Sequence, residues 1–263
     1  MGEIERGNLG GVRAIYFDLD DTLCGYWDAS KSALKLTFER HGPDGYEAVD
    51  LIRHWAAAFQ EFAPTLKQTK WFEGYLQKGE PTRTEQMRLT LARLGIENED
   101  LASLLSQAYM EERDRALVLF PDAIEVLDLL KSRYPLGLIT NGPADVQRQE
   151  IGTLAIESYF QNIFIEGEMG EGKPSRAVFE RAASVVNCEP HEMLMVGNNY
   201  GHDVRAALEF GWHAVWVRRD SDAPPHAGGA EPTPEELPVG APVPDAEIGS
   251  LIELIGLLGL DGS

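Results

Sequence analysis

Cysteine is nearly absent: Cys24 and Cys188 are the two among 263 residues. Two thiols cannot build a disulfide framework, and neither stands in a zinc-binding spacing, so a reducing compartment is the simple expectation. Long apolar runs are missing as well. The longest, Ile248 to Leu260, contains Glu253 and falls short of the ~20 residues that a membrane-crossing helix needs. The opening stretch MGEIERGNLGG has no hydrophobic segment of the secretory kind, and Arg6 stands where myristoylation prefers Ser or Thr. Positive charge is scarce: 23 Lys and Arg face 43 Asp and Glu, a net charge of −20. That balance argues against nucleic acid, whose recognition needs a basic footprint, and against an anionic membrane surface. It also sets a condition on any anionic substrate, which must find positive charge concentrated at its site. A cytoplasmic protein is expected, and no protein partner can be inferred.

What is present is ordinary for a globular chain: 43% hydrophobic and 25% charged residues, enough for one large domain or two small ones. Val12–Phe17 reads as a buried strand, ending abruptly in the polar run Asp18-Leu19-Asp20-Asp21-Thr22. From Asp28 to about Arg115 only helical patterns follow, at Ser30–Arg40, Glu47–Phe62, Thr84–Leu94 and Leu101–Arg113. Within the second, Val49, Ile52, Ala56, Phe59 and Phe62 recur at three- and four-residue steps as an apolar stripe. The aromatics Trp55, Phe59, Phe62, Trp71, Phe72 and Tyr75 are expected to fill a helix-bundle core, with one or two on a substrate side.

After Phe120 short apolar runs alternate with amphipathic helices. Strands are predicted at Leu136–Thr140, Ile163–Ile165, Met193–Val196, Ala214–Val217 and near Ala246–Ile248. Helices are predicted at Pro121–Arg133, Ala144–Leu154, Arg176–Val186, Val204–Phe210 and Leu251–Leu258. Continuous apolar strands joined by helices predict an α/β fold with a Rossmann-like parallel sheet covered on both faces. The all-α block is inserted after the first strand. The expected division is a core of residues 1–25 and 116–263 and a helical domain of residues 26–115. Residues 220–244 are acidic and proline-rich and predict a solvated surface excursion.

Ligands of such sheets bind at the carboxyl ends of the strands. The polar residues after each apolar run are therefore the candidates: Asp18, Asp20 and Thr22, then Thr140 and Asn141, then Glu166 with Lys173, then Asn198, Asn199 and Asp203. Two alternative readings are weak. A calcium loop starting at Asp18 needs Gly at its sixth position, where Leu23 stands. Gly167-x-x-x-x-Gly172-Lys173 approaches a nucleotide-binding P-loop, but Pro174 occupies the slot of the Mg²⁺-binding Ser or Thr. The histidines, His202 included, show no zinc spacing, and Cys24 reads as a packing residue near the hinge.

FDLDDT (17–22), LITNG (138–142), GKPSRAVF (172–179) and VGNNYGHDV (196–204) resemble, in order and spacing, the four motifs of the haloacid dehalogenase-like superfamily, across essentially the whole chain. The helical block resembles its α-helical cap. The branch most resembled includes the pyrimidine nucleotidases and N-acylneuraminate-9-phosphatase. The resemblance implies Mg²⁺-dependent hydrolysis of a small phosphate monoester, a nucleotide or sugar phosphate, through an aspartyl-phosphate. It implies Asp18 as nucleophile, Asp20 as acid and base, Lys173 as charge stabiliser, and Thr22, Thr140 and Asn141 as phosphate-binding residues. Mg²⁺ would be held by Asp18, the Asp20 carbonyl, Asn198 and Asp203. The chain departs from the pattern at Asn198, where the family carries an acid. A phosphomutase, a 2-haloacid dehalogenase and a non-catalytic binding protein of the same fold are the alternatives. Asp20 weighs against the dehalogenase, since a halide leaving group needs no proton.

Overall fold

Strand β1 (Ala14–Phe17) is the centre from which the rest is organised, and all four of its residues are buried. Its side chains alternate between faces, as a strand's must. Ile15 and Phe17 pack with Leu138, Val196 and Val215 in one core, and Tyr16 packs with Ile139, Met195 and Trp216 in the other. A sheet apolar on both faces needs cover on both. The computed structural model, which describes residues 9–219, 223–228 and 236–260, supplies that cover.

The other strands are β2 (Leu136–Thr140), β3 (Asn162–Ile165), β4 (Met193–Gly197), β5 (His213–Val217) and β6 (Ala246–Ile248). They form one parallel sheet in the order β3-β2-β1-β4-β5-β6. In register, Phe17 faces Leu138 on one side and Val196 on the other. The chain winds outward from β1 in one direction and then crosses back to β4. The β1/β4 boundary is thus the switch point, where α/β sheets open a crevice.

Helices α1 (Tyr26–His41), α2 (Ala48–Phe62), α3 (Phe72–Gln77), α4 (Glu80–Ala92) and α5 (Glu99–Ala116) lie between β1 and β2. They close over their own core, built on Leu34, Phe38, Leu51, Trp55, Met87 and Leu105. The start of α5 is capped by Asn98, whose side chain accepts from the Leu101 N–H at 2.9 Å. The two connections to the sheet run side by side: Gly25 N–H donates to Val118 O at 3.2 Å, and Phe120 N–H to Leu23 O at 2.9 Å. Cys24, fully buried, sits at this junction.

The remaining helices are α6 (Ala123–Lys131), α7 (Ala144–Thr153), α8 (Glu166–Met169), α9 (Arg176–Val186), α10 (Ala206–Glu209) and α11 (Glu253–Leu257). The predicted helix at Val204–Phe210 is instead a wide π-helical turn at Tyr200–Arg205 running into α10. Helix α3 and a 3₁₀ segment at Ala63–Gln68 were not expected. Part of the proline-rich stretch, residues 220–222 and 229–235, lies outside the described residues. Its later part is not simply solvated. Leu237 and Ala241 pack on the second core, and Tyr200 Oη donates to Pro242 O at 2.7 Å. No helix among the described residues is long and apolar enough to cross a membrane.

Candidate active site

Because the strands are parallel, their carboxyl ends share one edge of the sheet. Asp18 follows β1, Thr140 and Asn141 end β2, Glu166 follows β3, and Asn198 follows β4. These residues, with Asp20, Lys173 and Asp203, line a cavity of about 490 Å³ between the sheet edge and the helical block. Thr22 stands behind them. Its hydroxyl accepts from the Asn198 N–H at 3.0 Å and lies 3.2 Å from Asp18 Oδ2 and 3.3 Å from Asn198 Oδ1. Thr22 therefore ties the β1 loop to the β4 loop across the switch point.

Lys173 is the charged centre of the rim, although it is only 2% exposed. Its Nζ lies 2.5 Å from Asp18 Oδ1 and 2.6 Å from Asp203 Oδ1. The other oxygen of Asp203 accepts from the Asn199 N–H at 2.9 Å. The backbone of Lys173 is gripped by the Asn141 side chain, which donates to Lys173 O at 2.7 Å and accepts from its N–H at 2.8 Å. This grip requires glycine before the lysine: a Cβ on Gly172 would stand 2.4 Å from Asn141 Oδ1. Gly197 is required in the same way, since its Cβ would stand 2.4 Å from the Asp203 carboxyl.

Three acids follow one another closely at the first strand end, and the fold separates them. Asp21 adopts a left-handed backbone (φ 59°) and accepts the Trp27 N–H at 3.0 Å, capping the path into α1. Asp18 faces Lys173. Asp20 faces Gln147, whose Nε2 donates to Asp20 Oδ2 at 3.1 Å and lies 2.9 Å from Glu150 Oε2. The Gln147 carbonyl in turn accepts from the Thr140 hydroxyl at 2.5 Å. Glu150 pairs at 2.8 Å with Arg113, which comes from α5. This chain from Asp20 to the helical block was not foreseen. The one available signal was that Gln147 opens the helix that follows a site-bearing strand.

Burial pushes the carboxyls of Asp18 and Asp20 up to about 6. For Asp18 the Lys173 charge opposes the rise, and for Asp20 the neighbouring Asp18 charge adds to it. Burial also raises Glu150, reinforced by Asp20. Burial alone would lower Lys173, but Asp18 and Asp203 outweigh it and hold the ammonium above its usual range. The pair of raised acids has a measurable consequence. The folded chain keeps protons that the unfolded chain, titrating near 3.8, has released. Its stability must therefore fall as pH rises through the folded values. In EDTA, the urea midpoint is expected to drop between about pH 5 and 7; a midpoint that climbs across that window contradicts the raised carboxyls.

The donor set suits a hard cation. Asp18 Oδ2 and Asn198 Oδ1 meet at Thr22 from two strand ends, and every donor is oxygen, the ligand type Mg²⁺ takes while retaining several waters. Among the described residues no three His, Cys, Asp or Glu side chains stand together as a metal cage. Asn198 contributes an amide oxygen at the β4 end, and the two oxygens of Asp203 are engaged by Lys173 and the Asn199 N–H. Thr140 and Asn141, expected to meet phosphate, use their side chains to position Gln147 and Lys173.

The roof of the cavity differs from expectation. Trp55, Phe59, Phe62, Phe72 and Tyr75, read in the sequence mainly as bundle core, line the cavity. Trp55 and Phe59 stack at 5.1 Å between ring centroids, 8° from parallel. A helical stripe distinguishes buried from exposed positions; it cannot distinguish a core from a cavity wall. His202, read as a surface or packing residue, also lines the cavity. Two contacts bring the roof onto the sheet edge. Lys67 Nζ lies 2.9 Å from Glu166 Oε1, and Gln77 Nε2 donates to Gly167 O at 2.9 Å.

Comparison with known proteins agrees with this geometry. The chain is 31% identical over 224 residues to phosphoserine phosphatase of Thermus thermophilus, covering 79% of this chain and 89% of that one. It is 26% identical over 263 residues to human N-acylneuraminate-9-phosphatase, covering 95% of each. Among solved structures, magnesium-bound YfnB of Bacillus subtilis superposes with a TM-score of 0.70 at 21% identity, covering 94% of this chain and 98% of that chain. The sequence profile of the haloacid dehalogenase-like hydrolases matches residues 15–217, and the chain belongs to that family.

Proposed function

We propose that the protein is a Mg²⁺-dependent phosphatase that hydrolyses a small phosphate monoester in the cytoplasm through an aspartyl-phosphate on Asp18. The observation that carries this reading is the trio at the strand ends: a buried carboxylate 2.5 Å from a buried ammonium, with a second carboxyl two residues on that burial pushes up to about 6. Asp18 attacks phosphorus and the bond to the leaving oxygen breaks. Asp20 gives its proton to that oxygen, then takes one from the water that attacks the phospho-aspartate and frees Asp18. Lys173 stays charged throughout and neutralises negative charge gathering on Asp18 and the phosphoryl oxygens. Asp203 and Asn141 are positioning residues for Lys173, and Thr22 is one for Asp18.

Mg²⁺, for which Asp18, the Asp20 carbonyl, Asn198 and Asp203 are the candidate ligands, would add a second positive charge beside the phosphate. Residues 26–115 would act as a cap that seals the cavity and selects the substrate. The names of the relatives support phosphatase over dehalogenase, as does Asp20, which has a proton to give to an alkoxide and nothing to do for a halide.

p-Nitrophenyl phosphate with Mg²⁺ is the first test: turnover that EDTA stops supports the reading, and no hydrolysis of any phosphoester defeats it. The metal assignment has its own. Asn198→Asp restores a charged ligand and is expected to lower the Mg²⁺ concentration for half-maximal rate at least severalfold. An unchanged value would remove Asn198 from the metal shell.

A further inference from the structure

On the roof of the cavity, opposite the acids, α4 presents Arg83 and Gln86, and α2 presents Trp55; all three line the cavity. The Arg83 side chain makes no ion pair or hydrogen bond among the described residues, and its Nε is buried without an acceptor. The acids that feel its charge, Glu80 and Asp114, make their direct contacts with other groups. Glu80, one turn back, accepts from the Thr84 hydroxyl at 2.9 Å. Asp114 lies 3.6 Å from Arg113, and Glu150 lies 2.8 Å from it. Arg113 thus has carboxylates in contact, and Arg83 has none among the described residues. Burial first and then the Arg113 charge depress the Arg83 guanidinium, outweighing the opposing pull of Tyr109, Tyr26 and Glu80.

The neighbours of Arg83 carry the same signature. Gln86 is 6% exposed and Trp55 4%. Gln86 Nε2 donates to Trp55 O at 3.0 Å, yet Gln86 Oε1 and Trp55 Nε1 have no partner. Folded proteins pair nearly all such groups, and an unpaired one costs about 1–3 kcal/mol. A cation, an N–H donor and a carbonyl acceptor therefore stand unsatisfied on one wall, in a chain whose net charge is −20. A guanidinium with no carboxylate in contact suits a negative charge on a ligand.

The geometry points to a second anchoring subsite: Arg83, with the Trp55 Nε1–H, binds a carboxylate carried on the leaving group of the phosphomonoester, while Gln86 Oε1 is left to accept from water. The substrate class is a phosphorylated hydroxy acid, its apolar middle lying against the Trp55 and Phe59 rings. This rests on the phosphatase reading and goes beyond it, since hydrolysis at Asp18 demands no second charge.

The test uses the full chain with Mg²⁺ and phosphomonoesters of ω-hydroxy acids of increasing length, each offered as the free acid and as its primary amide. p-Nitrophenyl phosphate is the control. At the length that spans the cavity, the acid is expected to exceed its amide by about 10- to 100-fold in kcat/KM, the size of a charge-assisted hydrogen-bonded pair. Arg83→Gln should bring that ratio near one, mainly through KM, with Arg83→Lys recovering part of it. Trp55→Phe, which keeps the ring and deletes the donor, should lower the ratio less. The proposal is overturned if wild-type protein hydrolyses the control yet prefers no acid at any length, or if Arg83→Gln keeps the full preference. If the control itself is inert, the phosphatase reading fails first and the subsite falls with it.

Discussion

Asp18→Asn is expected to abolish turnover while leaving the protein folded and more stable at neutral pH. The loss of rate should be at least about 10⁴-fold, because an amide cannot accept the phosphoryl group and no neighbour can replace it. Asp20 faces Gln147 and Asp21 caps α1, so neither is aimed at the position Asp18 occupies. The gain in stability follows from the same burial. Asp18 is 7% exposed and titrates at about 6 rather than 3.8. Keeping it ionised at neutral pH thus opposes folding by up to about 3 kcal/mol, at 1.36 kcal/mol per pH unit. A neutral amide removes that cost, and Lys173 keeps Asp203 as its counter-ion. The melting temperature of Asp18→Asn should exceed wild type at pH 7.5, and the difference should shrink toward about pH 3, where the Asp18 carboxyl is protonated in both states. Mass spectrometry of protein quenched in acid during turnover supplies the chemical half: phosphorus should appear on the wild-type peptide containing residue 18 and be absent from the variant. Retained turnover by Asp18→Asn would end the nucleophile assignment.

The parts of this site that were legible in the sequence share one property: each directly follows an apolar run or sits in a short motif. Asp18 after Phe17, Asn141 after Thr140 and Asn198 after Gly197 are placed by local order alone, because a parallel sheet sends all its strand ends to one edge. Gln147, Glu150 and Arg113 could not be found that way. Their importance comes from being buried together, and a glutamate or arginine in a helix such as EERDRA looks the same whether it meets solvent or a buried partner. Arg83 was invisible for the complementary reason: what marks it is a buried nitrogen with no acceptor in contact, which shows only once every neighbouring acid has a place. Helix α3 and the 3₁₀ segment before it were missed because Pro64, Gly74 and Gly79 break the periodicity. Their conformation is fixed by docking on α7 and α8 through Lys67, Gln77 and Gly79. At Gly79 the approach is close enough that a Cβ would stand 2.6 Å from Val146.

Lys173→Met should cost both activity and stability, and the two losses can be separated. The methionine fills most of the lysine's space but leaves Asp18 and Asp203 facing each other without a cation in a buried setting. Breaking a buried ion pair from one side costs about 3–5 kcal/mol, and the penalty here is shared by two acids. They relieve it by holding protons, so the variant's stability should fall more steeply with rising pH than that of wild type. Activity should drop at least about 10³-fold, because the charge on the phosphoryl oxygens loses its fixed counter-ion and the nucleophile becomes harder to ionise. Lys173→Arg should not rescue it. The slot is sealed at 2% exposure and its walls are set for one nitrogen lying 2.5 and 2.6 Å from two carboxylates; a planar guanidinium presents a fork of donors there instead of a point. The double variant Lys173→Met/Asp203→Asn discriminates charge burial from catalysis. With one of the two unpaired acids neutralised, the urea midpoint should recover much of its loss while the rate stays low. A double variant that regains activity along with stability would show that Lys173 only holds the fold together, and Asp18 would then need another source of positive charge.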